Sequence, residues 1–163
     1  MSKKVLVIGL VLAFVVLTLP ITAVFAESPM IEVEGTITSG GVSSIVKQAG
    51  ENSFIEITTA STWAGGISGS TTGFQTWIAH KVRPLPPDLV NINAEIFFTT
   101  ATVDGKTGSM TIELNMLSYP THPSDSHGTW RIKDATGELE GLHGEGAWLS
   151  GPNRYEGKVH FSK

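Results

Sequence analysis

Ile92-Asn-Ala-Glu-Ile-Phe-Phe-Thr-Thr-Ala-Thr-Val103, the dipeptide Asp104-Gly105 and Met110-Thr-Ile-Glu-Leu-Asn-Met116 decide the fold class. The first segment is rich in β-branched and aromatic residues. In the last, Met110, Ile112, Leu114 and Met116 alternate with Thr111, Glu113 and Asn115. That period of two marks a strand with one dry and one wet face. Asp-Gly between two such runs signals a two-residue hairpin turn, because both of its central residues need positive φ.

The same period recurs outward from this hairpin. Ile31, Val33 and Ile37 alternate with Glu32, Glu34, Thr36 and Thr38. Trp130 and Ile132 alternate with Thr129, Arg131 and Lys133, and Tyr155, Val159 and Phe161 with Glu156, Lys158 and His160. Residues 54–62, 73–82 and a glycine-interrupted 139–149 complete eight strands. Frequent Gly, Ser and Thr disfavour helix throughout. Pro84-Leu-Pro-Pro-Asp88 and Tyr119-Pro-Thr-His-Pro-Ser-Asp125 read as loops, Asp134-Ala-Thr-Gly137 as a second tight connection and Gly66-Ile-Ser-Gly-Ser70 as a flexible turn. Eight amphipathic strands make a sandwich or a barrel. Closure removes exposed edges, so the expectation is an all-β, single eight-stranded antiparallel β-barrel over residues 27–163.

Met1-Ser-Lys-Lys4 is basic, residues 5–19 carry no charge, Pro20 breaks the run, and Val24-Phe25-Ala26 ends it with a cleavable pattern. This is the layout of a signal peptide, read as a helix over residues 1–26 with cleavage after Ala26. Retention of residues 5–25 as a membrane anchor is the alternative, since about 20 apolar residues span a bilayer. In both cases the domain is expected outside the cytoplasm, secreted or in the cell envelope. The chain holds 11 basic and 15 acidic side chains, and this balance argues against nucleic acid as a partner. With no cysteine, thiol catalysis, thiolate metal sites and haem attachment through Cys are excluded. Charged residues at 16% and hydrophobic ones at 40% describe a folded chain rather than a disordered one.

Val103-Asp-Gly-Lys-Thr-Gly-Ser-Met110, Gly128-Thr-Trp-Arg-Ile132 and Ala135-Thr-Gly-Glu-Leu-Glu-Gly-Leu-His-Gly-Glu-Gly146 carry a resemblance. Together they resemble a small microbial family of unknown function that shares the allene oxide cyclase-like barrel. The glycine rhythm is also similar to that of plant dirigent proteins, and Glu34-Gly-Thr-Ile37 to the family's first strand. The resemblance spans roughly residues 32–161, more weakly over 42–87. It implies an eight-stranded barrel around a central cavity, often oligomeric, and no particular reaction. No cyclase catalytic residue maps onto a matching motif here.

Gly141-Leu-His-Gly144-Glu-Gly146 has the wrong order for a dinucleotide fingerprint and precedes no helix, so its glycines are read as permitting a strand bend or close approach. Gly66-Ile-Ser-Gly-Ser70 likewise is no nucleophile elbow. If Phe74, Ile78 and Val82 face inward, His80 shares their face. By parity with Leu139, Ala147 and Leu149, His143 and Glu145 would enter the lumen side by side. His80, His143 and Glu145 are therefore the candidate ligand-binding residues, with core or rim hydrogen bonding as the plainer role. His122, Asp125 and His127 sit on a loop whose solvated polarity is the simpler reading, so no metal and no cofactor is assigned. Trp63, Trp77 and Phe97 fall on an outer aromatic patch suited to an oligomer contact, or in the core if the register differs. Three functions follow as expectations. The first is an exported binder of a small apolar molecule in the lumen or mouth. The second is an isomerase, cyclase or hydrolase using a His/Glu pair in the barrel mouth. The third is a structural or adhesive envelope module, which would have a filled barrel and an outer aromatic patch.

Overall fold

The computed structural model describes residues 28–50, 52–80, 89–149 and 153–162. The signal segment at 1–26 and the proline-rich loop at 84–88 lie outside them. Eight strands follow in order: β1 Ile31–Ala49, β2 Asn52–Gly65, β3 Ile67–His80, β4 Val90–Val103, β5 Lys106–Ser118, β6 His127–Ala135, β7 Leu142–Leu149 and β8 Arg154–Phe161. Each pairs antiparallel with its sequence neighbour, and β8 returns to β1 from Ile31↔Val159 to Thr36↔Arg154. That last ladder makes the fold a barrel and not a sandwich. Asp104 (φ 51°) and Gly105 (φ 74°) form the expected turn between β4 and β5.

Register sets the shape. A path from Ser44 across Ile57, Gln75, Ala94, Leu114, Trp130, Gly146 and Gly157 comes back to β1 at Val33, not at Ser44. This stagger tilts the strands, as closure demands. It also leaves the later part of β1 beyond the reach of β8. Tall strands β1–β5 thus rise above a shorter wall of β6–β8. The length of β1 past Thr38 is not evident in the sequence. Residues 42–49 are exposed on both faces, so no alternation marks them.

The waist of the barrel is occupied by buried aromatic side chains. Trp63, Phe98, Trp130 and Tyr155 are fully buried, and Trp148 packs against them. Trp63 meets Phe98 edge-on at 5.3 Å and Trp148 at 5.7 Å between centroids. An eight-stranded barrel is about wide enough for side chains to fill it or for one small ligand, and here five inward aromatics from five strands occupy the waist. Trp63, one of the outer-patch candidates, is only 1% exposed and belongs to this core.

Two further features hold the waist. Tyr155 Oη accepts from the Ile67 N–H and donates to the Ile67 carbonyl, both at 2.7 Å, tying β8 to the start of β3. Residues 66–70 are therefore no flexible turn, because Ile67 is buried and opens a strand. The glycine rhythm does serve close approach, as the sequence indicated. Gly146 and Gly157 are register partners beneath the Trp130 indole, whose Nε1 donates to the Ala147 and Glu156 carbonyls at 3.2 Å each.

Candidate functional site

His143 and Glu145 are exposed, on the outer face of β7, so the lumen pair expected from parity does not form. The strand points Leu142, Gly144, Gly146 and Trp148 inward instead. Parity fails because Leu139 lies in a 3-10 turn, Gly137–Leu139, and Gly141 (φ 77°) redirects the chain before β7 begins. His143 lies beside its register partner His160, ring centroids 5.5 Å apart. Glu145 stands between Arg131 and Lys158 in the outer register. His80 ends β3 opposite Asn52, and its side chain lies outside the described residues. The premise that placed it inward is corrected, since Phe74 is 61% exposed and β3 buries Thr71, Gly73 and Ala79.

Trp77 and Phe97 part company. Trp77 is half-buried against Ala79 and Ile92 at the tall end of the barrel, its Nε1 donating to Gln75 Oε1 at 2.8 Å. Phe97 faces outward and meets Phe74 edge-on at 6.0 Å. The outer aromatic patch exists, but Phe74 and Phe97 form it. Nothing in the local sequence separates Phe74 from a core phenylalanine; only the pairing Phe74↔Glu95 puts it on the wet side. His127 Nδ1 bonds the Asp125 carbonyl oxygen at 2.8 Å, and His122 Nδ1 contacts Thr121 Oγ1 at 3.1 Å. Among the described residues no three His, Cys, Asp or Glu side chains converge.

The most distinctive outer feature is one row of the sheet. Phe74, Glu95, Glu113, Arg131 and Glu145 are successive register partners across β3 to β7. Phe74, Thr76, Asn93, Asn115 and Arg131 border an open groove of about 480 Å³ along it. Arg131 reaches Glu113 at 2.5 Å, and Lys133 bonds Glu95 while lying 3.4 Å from Glu113. The hydrogen bond from Arg131 holds the Glu113 carboxyl below the usual carboxylate range, with partial burial opposing and Lys133 assisting. Glu95, then Glu113, raise the Lys133 ammonium above its ordinary value. Glu113 is thus a fixed anion at neutral pH, an acceptor and not a proton donor.

A crystal structure of a protein of unknown function from the DUF3224 family of Shewanella oneidensis MR-1 superposes with a TM-score of 0.61. The match covers 83% of this chain and 99% of that one, at 17% identity. The two share a fold. Neither a family model nor a curated protein matches the chain.

Proposed function

We propose that this chain is an exported binding module of the allene oxide cyclase-like barrel family, acting through the outer groove beside Phe74. The observation that carries the reading is an exposed aromatic ring at the edge of a groove whose other walls are amides, carboxylates and a guanidinium. Such a surface suits a small molecule with one apolar face and a hydrogen-bonding rim. The filled waist weighs against a ligand deep in the lumen. A cyclase, isomerase or hydrolase built on His143 and Glu145 would need an enclosed pocket, and both residues are exposed. Saturation-transfer NMR of the purified protein against a library of sugars and amphipathic fragments tests the reading. Binding lost in Phe74→Ala, with the unfolding midpoint unchanged, is the expected result. No binder, or binders indifferent to Phe74→Ala, would overturn it.

Trp77 favours one second reading, an apolar ligand at the mouth. Its indole is half-buried at the tall end and oriented by Gln75, on the strand that ends at His80. That reading expects a co-purified apolar molecule in native mass spectrometry, and ligand-induced fluorescence changes that vanish in Trp77→Phe. A spectrum free of added mass, with no fluorescence response to fatty acids, would end it.

A further inference from the structure

We infer that two copies of this chain pair antiparallel, edge to edge, through residues 42–49 of β1. β8 covers β1 only from Ile31 to Thr36, with one further bond from the Ile37 N–H to the Asn153 carbonyl at 2.8 Å. Beyond a register shift between Ser39 and Val42, β1 is paired with β2 alone, among the described residues. This leaves a long strand edge of unpaired N–H and C=O groups; the other edges left open among the described residues, 132–135 of β6 and 142–144 of β7, are short. Edges of this kind are usually blunted by proline, charge or brevity. Here Val42-Ser-Ser-Ile-Val-Lys-Gln-Ala49 contains no proline and a single charge. That charge, Lys47, is engaged with Glu56 of β2 at 2.7 Å. Val42, Ile45 and Val46 are exposed, Ile45 by 63%.

The occupant follows from symmetry and charge. An antiparallel ladder between two copies of one strand has a two-fold axis, so the same patch serves on both sides. About an axis at Ile45, each Lys47 falls opposite Ser43 of the other copy, and no like charges meet. Of the other open edges among the described residues, 132–135 carries Lys133 and Asp134 and 142–144 is only three residues long, and a two-fold ladder through β1 uses the same edge on both copies, so pairing stops at two. Ile45 and Phe74 lie on the same outer face, three strands wide, so the groove would sit beside the junction.

Light scattering on the size-separated protein should give twice the chain mass, and amides 42–49 should exchange slowly with solvent. Ile45→Lys places two lysines near the axis and should weaken association by about a hundredfold or more. Ser44→Pro, a second and independent change, should also give monomers, because proline blunts a strand edge against pairing with another chain. Both variants should keep the wild-type circular dichroism, and Thr129→Lys on the opposite wall should remain dimeric. A monomeric wild type would overturn the inference. So would a dimer that survives both edge variants, or one that only Phe74→Lys dissociates.

Discussion

Gly146→Ala tests the waist, because two effects of opposite sign compete there. A glycine within a strand is costly to order, so alanine at an unconstrained position should stabilise by about 0.5–1 kcal/mol. At Gly146 an added Cβ would meet the Glu156 carbonyl, and lie 2.6 Å from Trp130 Cζ2 and 2.7 Å from Gly157 Cα. Two of these neighbours are backbone of the partner strand and cannot swing aside. Overpacking of this kind costs about 1–3 kcal/mol, occasionally more, and outweighs the entropic gain. The expected result is a net loss of about 0.5–2 kcal/mol, lowering the unfolding midpoint by roughly 2–8 °C in calorimetry. Trp130→Leu will itself destabilise by several kcal/mol through the cavity it leaves. In the double variant the ring no longer opposes the new methyl, so the combined loss should fall short of additivity by about 1 kcal/mol. A rise in midpoint for Gly146→Ala would refute the packing argument. Strict additivity would show that the backbone alone, and not the indole, enforces the glycine.

Tyr155→Phe should cost about 1–3 kcal/mol in urea unfolding, since it leaves the buried Ile67 N–H and carbonyl without their partner. Burial also raises the Tyr155 hydroxyl above its ordinary value. The stability it contributes is therefore complete below the unfolded phenol's value of about 10 and lost as pH climbs through the folded one; Tyr155→Phe should lack that alkaline loss. On the acid side the sign reverses. Glu113 is depressed, so its contribution is full above the unfolded carboxylate value of about 4.3 and fades as pH falls through the lower folded value. Glu113→Gln should flatten the acid limb of the stability curve, and an unaltered limb would remove Glu113 from the ion-pair row.

Much of the architecture was legible because it is written in local chemistry. Asp104-Gly105 and the alternation at Met110 to Met116 require only neighbouring residues to be read, and β4 and β5 form where they indicate. The glycines at 144 and 146 were legible for a similar reason, since a residue without a side chain at such density implies that something else must approach. Faces were another matter. The irregularity in β4 between Phe98 and Ala101, met by both neighbouring strands, switches the inward face from Ile92, Ala94, Ile96 and Phe98 to Ala101 and Val103, and no residue pattern announces it. On β3 the inward face is instead the run Ile67, Thr71, Gly73 and Ala79, so Phe74 falls outside although nothing in its neighbours distinguishes it from a core phenylalanine. The Gly137–Leu139 turn moved His143 and Glu145 to the outer face in the same way.

The sequence by itself determined that the chain would form short-range antiparallel hairpins of amphipathic strands, because period, turn and propensity act over a few residues. Only the tertiary structure decided that the strands close, how far β1 overshoots β8, and that five aromatic rings meet at one level. Those outcomes depend on the stagger accumulated around eight strands, and a stagger is a sum over pairings that no single segment contains.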